Sequence, residues 1–385
     1  FGTLSDRTAI TYIATFILAA ALGKTEFLSI LGKAIVAKAK SELHLMISFA
    51  AVTAVLSFFM AGPALCVILG PAILSMCREA KVSPKRFWKP MNDIYCVWGA
   101  LIPVGGAVAI YMSTNTLIES YGGNPTMTLW TIPLAQLPIA IAATIYIIFS
   151  FKFMPTDWDG IDEGKIISQA DKMIQKDLSN RVEHKWQQTV IYIAYVGTML
   201  GIVTSAWTGF AVPLVSAIGA LLVVATGAMS DKEAINAVNW PIICLYGGGV
   251  AVANGLKTTG GIDLLGNALQ GFLGGFSSPW LIGAIVFALA LFTTQFVNNN
   301  IAKSLFGAIT VPLAVAMGWD ARALYVMGFL GANMAVTFPM GSNTASTVYG
   351  LGAYKTSDFI KQGWPTLLII LIVGAAVIPM IYPIF

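Results

Sequence analysis

TTQFVNNNIAKSLFG, residues 293–307, sets three asparagines and a lysine in the middle of an otherwise apolar hairpin. Forty residues later NMAVTFPMGSNTASTVYG, residues 333–350, interrupts a second apolar segment with a polar, glycine-containing break. The same order of features occurs earlier in the chain. There the hairpin tip lies in SFFMAGPALCVILGP (57–71) and the break in VGGAVAIYMSTNTLI (104–118). In hydrocarbon, backbone is left unpaired only where protein or a water-filled cavity satisfies it. Paired interruptions at matching positions in two halves therefore point to a central binding site of a transporter.

Composition puts the chain in a bilayer. Apolar residues make up 57% of its 385 residues and charged residues 10%, against roughly 25% charged in soluble domains. The final run, TLLIILIVGAAVIPMIYPIF (366–385), is long enough to span a ~30 Å hydrocarbon core. The net charge of +4 is carried by lysines that orient membrane proteins and implies no nucleic-acid partner. Cys66, Cys77, Cys96 and Cys244 lie in or beside apolar segments without metal-ligand spacing. They read as packing residues. No nucleophile–base pair and no phosphate-binding loop is evident, and GGGVAVANG (247–255) follows no strand, so an enzyme is not expected.

The pattern predicts an all-α polytopic membrane protein. Its first half has a helix at 9–23, an amphipathic linker at 24–42 and a hairpin at 43–77. A basic loop (78–91), a broken segment (92–122) and a span (127–151) complete that half. Residues 152–187 form a connecting segment with a surface helix carrying Ile166, Ile167, Ala170, Met173 and Ile174. Spans follow at 188–206, 209–228 and 237–256, then a linker (257–278), a hairpin (280–317), a broken segment (322–351) and a last span (363–385). The units are thus a first repeat (1–151), a cytoplasmic connector (152–187) and a second repeat (188–385). One alternating topology leaves only Arg7, Lys257 and Arg322 outside and Lys303 within a hairpin, so 18 of the 22 lysines and arginines face the cytoplasm. It places the two re-entrant hairpins on opposite faces, as inverted-topology repeats require. The spans 188–206 and 209–228 have no counterpart before residue 9, which predicts that helices preceding Phe1 are missing from this chain or have been lost by it.

The candidate site residues are the polar ones at the interruptions. Hairpin tips offer helix N-termini, whose free N–H groups favour anions. Asn298, Asn299 and Asn300 add amide donors and carbonyl acceptors. The competing reading is helix capping, for which one such residue suffices. Ser113, Thr114 and Asn115 at the first break, and Ser342, Asn343 and Thr344 at the second, line the site or else bond helix to helix. Gly62, Pro63, Gly105 and Gly106 shape backbone without offering a side-chain ligand. Lys303 is the one ionisable group well inside a hairpin. It meets a substrate carboxylate or the oxygens that would hold a cation, or it snorkels to the outer surface. Gln295 is expected to help line the same pocket, and Asp93 and Glu119 to sit at interfaces, with His44 and His184 at or near the cytoplasmic face. No proton relay is visible.

Over essentially its whole length the chain resembles the divalent anion/sodium symporters, carriers of di- and tricarboxylates or sulfate. FILAAALGKT (16–25) and GGGVAVANGLKTTGG (247–261) are similar to the family's two helices before the hairpins. That family carries Ser-Asn-Thr at each tip, where backbone carbonyls and these side chains hold sodium and substrate. The matching triplets here are Ala61-Gly62-Pro63 and Asn298-Asn299-Asn300. Gly105-Gly106 and Ser113-Thr114-Asn115 fit the family's first break. At the second, Pro339 fits, while Ser342-Asn343-Thr344 replace Thr-Pro-Pro. The resemblance implies an elevator-type homodimer in an inner or plasma membrane, with a small anionic substrate and no cofactor. If sodium binds, Asn299 and Gly106 are the residues to meet it. The substituted tips predict weak or no sodium dependence and exchange of one anion for another. A cation/proton antiporter, an inorganic-oxyanion transporter and a channel are the rival readings. The antiporter is disfavoured because no midmembrane carboxylate is evident.

Overall fold

The computed structural model describes residues 7–26, 42–59, 62–99, 101–102, 106–123, 126–179, 182, 184–238 and 278–384, with short pieces between 240 and 260. The linkers expected at 24–42 and 257–278, the span at 237–256, and Ala61 and Gly105 lie largely or wholly outside these residues. Among the described residues every regular element is helical.

The helices are α1 (Arg7–Gly23), α2 (Glu42–Leu56), α3 (Gly62–Ala80), α4 (Lys85–Trp98) and α5 (Gly106–Ser120). Next come α6 (Thr131–Ser150), α7 (Glu163–Ser179), α8 (Lys185–Val203), α9 (Val212–Ala225) and α10 (Asp231–Ala237). The last five are α11 (Pro279–Phe296), α12 (Asn299–Ala316), α13 (Ala321–Asn333), α14 (Asn343–Leu351) and α15 (Thr356–Ile381). Both halves run hairpin, interrupted pair, long apolar helix: α2–α3, α4–α5, α6, then α11–α12, α13–α14, α15. Four described helices, α3, α6 with its short extension, α11 and α15, are long and apolar enough to cross a membrane.

The interruptions follow from local chemistry. Asn298 ends the α11–α12 turn by accepting from the Asn300 N–H at 3.0 Å. Ser342 starts α14 by accepting from the Ala345 N–H at 3.0 Å. Such caps satisfy donors that a helix start leaves free. Pro279 opens α11, where its missing N–H costs nothing.

Two cores organise the hairpins and broken helices. One joins α6, α13 and α15 through Ile139, Ala143, Leu324, Met327, Leu367 and Ile370. The other joins α2, α3, α4 and α14 through Phe49, Leu65, Ile73, Trp88 and Val348. A separate core packs α1 on α8, α9 and α10 through Leu18, Ile191, Ala220 and Ala234. Lys24, just past α1, reaches Glu233 of α10 at 2.7 Å. That ammonium and the Ser230 N–H hold the Glu233 carboxyl far below its ordinary value, at about 2. The connector helix α7 docks on α3 with Ile166 and Ala170 buried and Ile167 outward. Ile193, Leu200, Leu214, Leu221, Leu289 and Ile372 stay exposed, which suits lipid contact.

One boundary differs from expectation. The basic loop does not run to residue 91, because α4 begins at Lys85. Lys85 is nearly buried, bonded to Asp157 at 2.6 Å. Its ammonium lowers the pKa of the Asp157 carboxyl. Lys89, counted above among cytoplasmic charges, has no exposure at all. The loop reading failed because Pro84 looks like a breaker, whereas it stands at the N-cap, where a proline is tolerated.

Candidate functional site

The second tip and the second break are stitched together. The Asn299 N–H donates to the Gly341 carbonyl at 3.1 Å. Its side-chain oxygen shares the Thr294 hydroxyl proton with the Ala332 carbonyl, each at 2.7 Å, and its Nδ2 donates to the Asn333 carbonyl at 2.9 Å. Asn298 Nδ2 donates to Asn343 Oδ1 at 3.2 Å, so the N-termini of α12 and α14 meet. Gly341 permits this approach: a Cβ there would stand 2.5 Å from the Thr294 carbonyl oxygen. The three asparagines divide their work, with Asn298 capping, Asn299 tying tip to break, and Asn300 exposed.

The first tip reaches the same place. A Cβ on Gly62 would fall 1.9 Å from Thr344 Oγ1, so the start of α3 rests directly on the start of α14. Tyr95 lies beside the Gly62 backbone and Cys96 beside Ser342, which brings the end of α4 to the cluster. Pro63 is half-buried beside Gly62.

Ser113, Thr114 and Asn115 stand elsewhere. They lie about two turns inside α5, not at its interrupted end. Ser113 and Thr114 donate to the Ile110 carbonyl at 2.9 and 2.8 Å, which lets hydroxyl residues remain helical. Tyr12 of α1 donates to Ser113 at 3.0 Å, and Thr8 meets Thr116 at 2.9 Å. Thr114 also lies beside Tyr325 of α13. Asn115 pins Met127 by both backbone groups, at 2.7 and 2.9 Å. These contacts attach α5 to its neighbours. Gly106 is the first residue of α5.

Lys303 turns inward instead of snorkelling. Its Nζ donates to Asn333 Oδ1 at 3.3 Å and lies 5.7 Å from the centre of the Phe329 ring. One of its three protons is thus engaged by an amide oxygen, beside the converging starts of α12 and α14. Gln295 does not line a pocket. It is buried and serves the break itself, donating to the Leu291 and Met334 carbonyls at 2.7 and 3.0 Å. It accepts from the Val336 and Thr337 N–H groups at 3.1 and 2.9 Å. Gln136 of α6 does the same for the first break, donating to the Val97 and Gly99 carbonyls at 2.7 and 2.8 Å.

Asp93 is the largest correction. It is fully buried and forms an ion pair with Lys89, one helical turn earlier, at 2.6 Å. Asp93, expected at an interface, is therefore enclosed by the protein instead. The signal was present as two opposite charges four apart in an otherwise apolar stretch, but it was hidden by assigning Lys89 to a loop. Asn333 and Gln362, each bonded to a buried or half-buried lysine, were also missed. Glu119, His44 and His184 are exposed.

The surroundings of Asn299 do not fit sodium. Its side-chain oxygen accepts a hydroxyl proton, the Gly341 and Asn333 carbonyls accept amide protons, and an ammonium stands at Asn333. A sodium site needs several oxygens turned on one centre, and here the Lys303 ammonium already stands at the Asn333 amide oxygen. Among the described residues no group of three or more His, Cys, Asp or Glu is arranged to hold a metal ion.

Comparison with known proteins agrees with this architecture. The citrate transporter family matches residues 1–329. An uncharacterized transporter of Haemophilus influenzae is 23% identical over 96% of this chain and 80% of its own. A sodium-dependent dicarboxylate transporter of Staphylococcus saprophyticus is 22% identical over 89% of this chain and 70% of its own. In fold, the YdaH transporter of Alcanivorax borkumensis superposes with a TM-score of 0.68 at 12% identity, covering 98% of this chain and 86% of that one. MtrF of Neisseria gonorrhoeae gives 0.59 at 14% identity over 96% and 80%. A chain whose described residues are helical, with helices long and apolar enough to cross a membrane and a family match over most of its length, is an integral membrane transporter and not an enzyme; it belongs to the citrate transporter family.

Proposed function

We propose that the protein carries small organic dianions, di- or tricarboxylates, and binds them where the two hairpin tips meet the second break. One observation carries this reading. The N-termini of α12 and α14 converge, with 3.2 Å between Asn298 and Asn343, and the Lys303 ammonium lies beside them. Helix starts and a partly unpaired ammonium favour anions, and a dianion needs donors at both ends. Asn300 and Asn343, exposed at the two starts, supply amides, and Gly62 and Pro63 lie against the start of α14. Ser113, Thr114 and Asn115 then position α5 against α1 and α13 (Ser342 and Thr344 likewise belong to the floor).

The finer architecture belongs to the same proposal. The repeats, 1–151 and 188–385 about a cytoplasmic connector, are inverted, and their hairpins are re-entrant. The hairpins and broken helices move as an elevator against the α1, α8, α9 unit of a homodimer, which the separate core of that unit supports. The engaged oxygens around Asn299 and the ammonium of Lys303 support weak or absent sodium dependence and anion exchange. The relative from Staphylococcus saprophyticus, named as sodium-dependent, makes that the sharpest point to test.

The antiporter reading gains from the buried Asp93. Its carboxylate is already engaged by Lys89 and Asn92, however, which leaves dianion transport better supported. Liposomes should take up at least one of succinate, malate, citrate or 2-oxoglutarate saturably, at the same rate with and without a sodium gradient. Uptake of sulfate alone, or none of these, would remove the organic-dianion reading. Uptake that rises steeply with sodium would sink the coupling claim and leave the substrate class standing.

A further inference from the structure

The Lys89 ammonium sits in a cage of oxygens drawn from three parts of the fold. Its Nζ lies 2.6 and 2.8 Å from the two carboxylate oxygens of Asp93 on α4. It lies 2.7 Å from the Val336 carbonyl, in the irregular stretch between α13 and α14, and 2.6 Å from Gln362 Oε1 on α15. Lys89, Asp93 and Gln362 have no exposed surface. The cage is anchored from outside as well: Gln362 Nε2 donates to Ser150 at 2.9 Å, and Asn92 donates to Asp93 at 3.0 Å.

The Val336 carbonyl is available only because α13 has ended at Asn333. An interrupted backbone in an apolar interior needs such groups satisfied. Gln295 does this for the Val336 and Thr337 N–H groups, and Lys89 does it for the Val336 carbonyl. A second lysine or glutamine would serve a lone carbonyl. Here a full carboxylate, a carbonyl and an amide oxygen surround one positive centre with balanced charge. Carboxylates, backbone carbonyls and amide oxygens are the donors that hard cations take from proteins. A buried ion pair is on its own weak evidence for stability, since apolar replacements do as well.

We propose that this is a cation site built into the second break and filled by the chain's own ammonium. Lys89 takes the place that a free monovalent cation would otherwise occupy among Asp93, Val336 and Gln362. Closure of this break is accordingly independent of the salt outside. Removing the amine while keeping the oxygens converts the cage into a site for sodium or for a small alkylammonium ion. This inference concerns a different lysine from the substrate proposal and stands or falls apart from it.

The test is thermal unfolding of the purified chain in choline, potassium, sodium and n-propylammonium chlorides at equal ionic strength. The wild type should unfold at one temperature in all four. Lys89→Ala should unfold lower in choline and recover by several degrees in sodium or in n-propylammonium, which replaces the atoms removed. Lys89→Ala/Asp93→Asn, with the charge of the cage removed, should show no such recovery. A folded Lys89→Ala protein indifferent to all four salts overturns the proposal. So does recovery of equal size in the double variant. Failure of Lys89→Ala to fold in every one of the salts also overturns it, because a cage able to accept a free cation would fold in at least one.

Discussion

Asn299 makes three hydrogen bonds, to Thr294, Asn333 and Gly341, and the last two tie the hairpin tip to the break. Asn299→Ala keeps the backbone bond and loses both side-chain ones. Each lost partner costs about 1–3 kcal/mol where the remaining group stays buried. Substrate affinity, read as KM in liposomes, should fall roughly ten- to hundredfold with expression retained. Unchanged kinetics would take the second tip out of the site. Lys303 calls for a different comparison. If its charge serves the dianion, Lys303→Ala should weaken transport far more than Lys303→Arg, because arginine keeps the charge. Equal loss in both would make Lys303 a packing residue against Phe329.

The broken helices depend on single side chains that stand in for missing backbone partners. Gln295→Leu leaves the Met334 carbonyl and the Val336 and Thr337 N–H groups without their partner. At about 1–3 kcal/mol for each unsatisfied group, the variant should lose most of its folded yield by size-exclusion profile. Gln295→Glu, which keeps the acceptor oxygens, should retain more. Normal yield from Gln295→Leu would mean that water reaches this break. The contact between α3 and α14 is equally local. Gly62→Ala drives a methyl into Thr344, and overpacking of this kind costs about 1–3 kcal/mol. Its unfolding temperature should drop, and Thr344→Ala, which removes the two atoms nearest the new methyl apart from Cβ, should restore part of the loss. No recovery in the double variant would show that the two helix starts do not bear on each other.

Across the whole molecule the basic residues set orientation. Lys172 on α7 is exposed, so it reports on the connector, whereas Lys85, paired with Asp157, does not. In a Cys244→Ser background, since Cys244 is the exposed cysteine among Cys66, Cys77, Cys96 and Cys244, a cysteine at position 172 should resist an impermeant thiol reagent in intact right-side-out cells. Ready labelling there would overturn the inverted arrangement. The core of α1, α8, α9 and α10 meets the rest at α5, where Tyr12 bonds Ser113 and Val108 packs against Ile202 and Val212.

Membrane residence and the helical class were legible in the sequence. They follow from composition and from polar residues at fixed places in apolar runs, which hydrocarbon tolerates only under strict conditions. The helix ends predicted from that pattern agree within a few residues for α2–α3 and α11–α12. What each polar residue does was not legible. Asn298 and Asn299 are identical in type and adjacent, yet one caps α12 and reaches Asn343 while the other holds the Asn333 carbonyl at the end of α13. Ser113 and Ser342 have the same chemistry, but one lies inside a helix and the other at a start. Lys89 and Asp93 meet Val336 and Gln362 across more than two hundred residues. Local pattern records spacing along the chain; only the tertiary structure decides which distant carbonyl or amide completes a buried charge.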